Sequence, residues 1–237
     1  MPPASARFPA TAWTDCIRVV QQPDHPDFVL QVDHLIATYW RPVFHFLRTK
    51  GHTLQDAEDL TQEFFVADLP DKLRSVDRNI GTFRNFLKTL VHRFAIDRTV
   101  RSARWKFQTR FVSVHSLVQD EDRAFEPAAG GDPEEAFERQ WKTEVLASVR
   151  RNLQACYDGN AADRSRYEIF AAYHLGEGTG ERPTQEELAT QFGVTRDFVR
   201  GALEKLQARY ERLVRQEVRE QVESEEEVEV ELRALLN

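Results

Sequence analysis

The chain has 237 residues, of which 41% are apolar and 30% charged, and its 39 acidic against 32 basic side chains give a formal charge of −7. This length holds one or two packed domains, and the composition excludes a wholly disordered chain. No stretch approaches the roughly 18 consecutive apolar residues of a membrane-spanning helix. The opening MPPASARFPATAW lacks the apolar core of a secretory signal, so the expected location is the cytoplasm. Cys16 and Cys156 lie far apart without CxxC spacing; neither a disulfide framework nor a zinc module is supported, and both are expected to be buried thiols.

An acidic chain does not coat nucleic acid indiscriminately, because such binding draws on excess Lys and Arg. The charge is segregated, however. Between Arg84 and Arg110 eight basic residues face a single acid, Asp97; between Leu54 and Leu69 five acids stand without a base; between Glu217 and Glu231 eight acids accompany only Arg219. Separate positive and negative faces follow.

Apolar residues recur at helical spacing nearly throughout, which predicts an all-α protein. The first helix runs from Phe28 to Lys50, with Pro42 expected to kink or interrupt it and Gly51 to cap it. Thr53 with Asp56 resembles a capping box, opening a helix from Leu54 to Asp68 that Pro70 is expected to end. A third helix is predicted from Phe83 to about Arg104, with Phe83, Phe86, Leu87, Leu90, Val91 and Phe94 inward. Periodicity fails between Lys106 and Asp132, where EPAAGGDP reads as a linker. Asp132-Pro133 then starts an amphipathic helix carrying Phe137, Trp141, Val145, Val149 and Leu153, and another follows from about Asp163 to Leu175.

Residues 184–206, TQEELATQFGVTRDFVRGALEKL, carry the strongest local signal. Thr184 and Glu187 form a capping box, Leu188, Ala189, Phe192, Val194, Val199 and Ala202 take the apolar positions, and Gly193 suits a turn needing positive φ. This is the pattern of a helix-turn-helix. Thr195 caps a second helix that presents Arg196, Asp197, Arg200, Lys205 and Arg209, and the N-terminal end of such a helix reaches base edges in the major groove. In the acidic segment, Asp56, Asp59 and Glu63 share one helical face and Ala57, Leu60 and Phe64 another. In the basic segment, Arg98, Arg101 and Arg104 recur every third residue, with Trp105 and Phe107 among Lys106 and Arg110, which suits unpaired DNA. The seven His are scattered, and neither HExxH nor a Gly-rich phosphate loop occurs. No enzyme, cofactor or metal is expected.

The segments YWRPVFHFLRTKGHTLQDAEDLTQEFF, NIGTFRNFLKTLVHRFAIDRTVRSAR and the helix-turn-helix, in this order, resemble the extracytoplasmic-function sigma factors of bacterial RNA polymerase. DPEEAFERQWKTEVL and the tail EVEVELRALL are similar to a large subgroup with a FERQW motif and an acidic C-terminal extension. The resemblance implies that the DAEDLTQ helix docks on the clamp helices of the largest polymerase subunit through Asp56, Glu58, Asp59, Gln62 and Glu63. It implies that Arg93, Asp97, Arg98, Arg101, Arg104 and Trp105 meet melted promoter strand near the start site, and that Thr195, Arg196, Arg200, Lys205 and Arg209 meet the distal element as duplex. Its partners are then core RNA polymerase and promoter DNA, with an anti-sigma factor or a protein kinase as a further class, and no membrane. Where many relatives carry Arg-Asn before the melting helix, this chain has His92-Arg93.

The expected domains are 12–105 for polymerase binding and melting, 106–132 as linker, 133–216 with the helix-turn-helix at 184–206, and 217–237 as an acidic extension. Two other classes fit less of the sequence. A dimeric helix-turn-helix regulator acting without tight polymerase docking, paired through the acidic C-terminal helix, leaves DAEDLTQEFF and the basic helix unexplained, and a helical scaffold uses neither.

Overall fold

The computed structural model describes residues 28–74, 82–101, 122, 124–175, 182–222 and 224–236, with side chains from Ile36 in the first helix and up to Arg98 in the fourth. Every regular element among them is helical: α1 Phe28–Thr49, α2 Leu54–Glu63, a π-helical turn Phe64–Asp68, α3 Leu69–Arg74, α4 Phe83–Arg101, α5 Pro133–Cys156, α6 Ala161–His174, α7 Gln185–Phe192, α8 Arg196–Arg219 and α9 Glu225–Leu236. The chain divides into two compact units. Unit 1 takes Met1–Glu144 and Val218–Asn237, and unit 2 takes Val145–Glu217. The cuts fall within α5 and α8, and the segment after Val218 belongs with the N-terminal part.

In unit 1, α1 is not interrupted at Pro42, interruption being one of the two outcomes expected from its missing N–H. Tyr39, Trp40, Val43, Phe44, Phe46 and Leu47 around it are all buried, and burying six such side chains outweighs a proline cost of about 3 kcal/mol. Gly51 closes the helix at φ 97°. Thr53 caps α2, accepting from the Asp56 amide at 3.1 Å; the Asp56 carboxylate takes the Thr53 hydroxyl at 2.7 Å rather than its amide, so the box is only half formed. Pro70 does not end the helical run. The turn before it widens, with the Leu69 amide bonding the Phe64 carbonyl, and Pro70 thereby enters the first turn of α3, where no N–H is needed. Ring pairs join the layers: Tyr39 with Phe83 at 5.2 Å, Trp40 with Phe65 at 6.0 Å, and Phe64 with Phe94 at 5.4 Å.

The start of α5 and all of α9 complete this unit. Trp141 is fully buried, and its Nε1 donates to Oε1 of Gln221 at 2.9 Å; the Tyr39 hydroxyl donates to the same oxygen at 2.7 Å. Val222, Val228 and Leu235 are buried alongside. The linker's end is also held. Asp122, 1% exposed, accepts from Arg41 Nε and bonds His45 Nε2, both at 2.8 Å, while Arg41 reaches Glu144 at 2.9 Å. Burial opposes the Arg41 charge, but the bonds and charges of Asp122 and Glu144 more than offset this and raise its pKa.

Unit 2 has its own core of Leu153, Tyr157, Ile169, Phe170, Leu188, Val199, Ala202, Leu203 and Leu206. Asn160 caps α6, accepting from the Asp163 amide at 2.9 Å. Thr184 and Glu187 form the complete capping box of α7. Gly193 takes φ 63°, ψ 35° after α7, a left-handed conformation that glycine adopts without a Cβ clash, and Thr195 accepts from the Phe198 amide at 3.2 Å to start α8. Cys156 is exposed rather than buried; Cys16 lies outside the described residues.

Two stability predictions follow. Gln221→Leu leaves the buried Tyr39 hydroxyl and Trp141 indole N–H without their shared acceptor and lowers the stability of unit 1 by about 2 kcal/mol or more, read by urea titration with amide exchange at α1 and α5. Thr184→Ala lowers that of α7 by about 1 kcal/mol. The Thr184 amide and hydroxyl hold the Glu187 carboxyl below its ordinary value of 4.5. Its contribution is therefore complete above that value and lost as pH falls through the lowered one; Thr184→Ala removes the hydroxyl's part and keeps the amide's, so it weakens this acid dependence in exchange rates of the α7 amides without abolishing it.

Candidate functional site

Three charged faces emerge from these helices. Ala57 on α2 and Phe64 in the following π turn point into the core, which turns Asp56 and Asp59 outward into solvent; Glu58, Gln62 and Glu63 are half-buried. His52 at the entry is half-buried as well, and burial pulls its pKa down despite the charge of Asp56. Asp68, in the π turn, is pushed up by burial, with the Lys72 and Arg98 charges opposing.

On α4 the basic residues have different destinations. Arg93 and Asp97 are exposed, beside exposed Ile96. Arg98 turns toward α2, with Nη2 2.5 Å from Glu63 Oε1 and its guanidinium 5.1 Å from the Phe94 ring, while its buried Nε has no hydrogen-bond partner among the described residues. The expected polymerase-facing and DNA-facing sets thus touch at Glu63 and Arg98. Arg84 is 7% exposed and Lys88 half-buried, both paired with glutamates. The side chain of Arg101, and Arg104 and Trp105 entirely, lie outside the described residues.

The third face belongs to unit 2. Thr195, Arg196, Arg200 and Lys205 are exposed and Arg209 half-buried. Arg200 bonds Asp197 at 2.8 Å, Arg196 lies 3.9 Å from Glu186, and Lys205 stands 5.9 Å from the Tyr157 ring. Arg209 approaches the Cys156 sulfur at 3.6 Å. These exposed ion pairs hold the side chains weakly, by at most about 1 kcal/mol each, so the cations can exchange an intramolecular carboxylate for a phosphate.

Sequence spacing missed the inward use of Arg84 and Lys88. The stretches FRNFLK and PEEAFERQW each carry charges every fourth position, but nothing local pairs one stretch with the other. Spacing also gave no sign of the Arg41, His45 and Asp122 cluster, whose members are 77 and 81 residues apart.

Among the described residues no helix is long and apolar enough to cross a membrane, and no group of His, Cys, Asp and Glu is arranged to hold a metal ion. No curated protein and no solved structure matches the chain. Residues 35–106, which run from α1 through α4 and include the α2 acids and the α4 basic residues, match the family model for sigma-70 region 2.

Proposed function

We propose that this protein is a sigma factor of the extracytoplasmic-function type, which docks on core RNA polymerase through α2 and directs initiation at promoters whose upstream element near the start site is taken as melted strand and whose distal element is read as duplex. The match of residues 35–106 to sigma-70 region 2, together with the outward carboxylates of Asp56 and Asp59 and the outward Arg93, is the observation that carries this reading. Asp56, Glu58, Asp59, Gln62 and Glu63 form the docking face for the clamp helices of the largest subunit. Arg93, Asp97, Arg98, Arg101, Arg104 and Trp105 belong to the melting segment, where cations serve phosphates and aromatic faces serve unstacked bases. Thr195, Arg196, Arg200, Lys205 and Arg209 serve the helix-turn-helix, base edges falling to the N-terminal end of α8 and phosphates to the residues further along. The FERQW motif and the acidic extension support a place in the subgroup that carries both. The working domains are 12–105, 106–132 and 133–216, with 217–237 as the extension.

The mechanism is additive binding. An acidic protein with two modest basic surfaces binds DNA weakly by itself, since a module making about 3 phosphate contacts has a log–log salt slope of only about −2.7. Docking on polymerase presents both surfaces to one template and converts two weak contacts into one strong one through effective concentration. The dimeric-regulator alternative requires α9 as its pairing surface; the burial of Val228, Glu231 and Leu235 within unit 1 favours the sigma reading.

Two measurements test it. Asp56→Arg with Asp59→Arg, both exposed, abolishes co-purification with core polymerase while the circular dichroism spectrum stays unchanged; retained association removes the docking role of α2. Free protein binds promoter DNA with a shallow salt slope near −2.7, whereas the complex with core enzyme binds and opens it, followed by permanganate reactivity of unpaired thymines. Tight, specific binding by the free protein contradicts the mechanism.

A further inference from the structure

Helix α4 carries two polar stripes. Asn85, Thr89 and Arg93, four residues apart, are exposed. Arg84, Lys88 and His92 form the other stripe at the same spacing, and acidic side chains from two distant parts of the chain converge on it. Arg84 Nε donates to Glu231 Oε2 at 2.7 Å and its Nη2 to Glu231 Oε1 at 3.0 Å, a bidentate pair; its Nη1 bonds Glu138, and its guanidinium lies 4.6 Å from the Trp141 ring. Lys88 Nζ is 2.8 Å from Glu138 and 3.8 Å from Glu134, and His92 Nδ1 is 3.9 Å from Glu134.

Glu231 is 2% exposed and Arg84 7%. Burial works against the Arg84 charge, but the bonds and charges of Glu231 and Glu138 more than offset this and raise its pKa. The two parallel bonds are the geometry in which an arginine fork takes a phosphate. A DNA phosphate could replace Glu231 only by uncovering that carboxylate and the buried Val228 and Leu235 with it, and separating a buried ion pair leaves an uncompensated charge. Outside, α9 presents Glu226 and Glu229 to solvent, as the start of α5 presents Glu134 and Glu135, so this side repels polyanions.

We propose that α9 and the first turns of α5 form a built-in anionic cover over the Arg84 and Lys88 stripe of α4, so that nucleic-acid phosphates are kept off that stripe and meet the helix on the side that carries Arg93. The cover suppresses non-specific DNA binding by a helix whose sequence is strongly basic. It rests on the reading of α4 as a DNA-facing helix and not on the docking of α2.

The test is a salt titration of the free full-length protein on single-stranded DNA of arbitrary sequence, without polymerase. Lys88→Gln leaves affinity and slope unchanged, whereas Arg93→Gln makes the slope shallower by about 0.7. A shallower slope in Lys88→Gln overturns the cover while leaving α4 DNA-facing; no change in either variant overturns that reading of α4, and the cover with it. Ending the chain after Val222 removes Glu231 and uncovers Arg84, while Lys88 keeps its partners Glu138 and Glu134 on α5. The slope then steepens by up to about 0.7, so affinity falls about 2.6-fold more between 50 and 200 mM salt than in the full chain, and Lys88→Gln in the shortened chain leaves that gain in place. An unchanged slope in a shortened chain that keeps its helical circular dichroism overturns the proposal; if the shortened chain loses its helices, the comparison of Lys88→Gln with Arg93→Gln in the full chain decides.

Discussion

Arg84 organises unit 1. Its guanidinium lies beneath the Trp141 ring and binds carboxylates from α5 and α9, so one side chain of α4 joins segments 54 and 147 residues away in sequence. A buried charge is tolerated only when paired and fully bonded. This condition ties the register of α4 to that of α5 and α9. Next to it, Gln221 uses one amide oxygen to satisfy both Tyr39 and Trp141, and the apolar residues of α9 close over the same region. The acidic extension is therefore part of the architecture of the N-terminal unit.

The allocation of charge on α4 shapes how the function is carried out. Of the residues that make this segment strongly basic, Arg84 and Lys88 are compensated by glutamates and Arg98 by Glu63; Arg93 faces solvent. A helix arranged in this way offers DNA a narrow contact rather than a broad cationic surface. Under the proposed function, weak affinity of the free protein needs no separate inhibitor, since the net negative charge of the chain and the inward pairing already limit the number of phosphates engaged. Under the same proposal, specific binding comes from adding the second surface, on α8, once both are held by a larger body.

The local features of the fold were legible because they depend on neighbouring residues. The Thr184 and Glu187 box, the left-handed Gly193, the Gly51 cap and the inward stripe of Phe83, Leu87, Leu90, Val91 and Phe94 all follow from spacing and backbone chemistry. Where local rules met tertiary packing they gave way: Pro42 stays inside α1 because its neighbours are buried, and Pro70 is accommodated by a π turn whose width no propensity signals. The exposed acids of α2 were readable from the apolar face opposite them. The inward pairing of Arg84, the anchoring of Asp122 by Arg41 and His45, and the contact of Glu63 with Arg98 depend on long-range pairing, which one sequence does not encode in any local pattern.

The central claim is that an acidic face on α2 brings two basic surfaces to a promoter as part of a polymerase complex. Its most direct measurement is transcription in vitro with purified core RNA polymerase and genomic fragments, with and without this protein. The account predicts discrete transcripts that appear only when the protein is added and that start a fixed distance downstream of a shared pair of sequence elements. Core enzyme whose products are unchanged by the protein, over a range of concentrations at low salt, would contradict it.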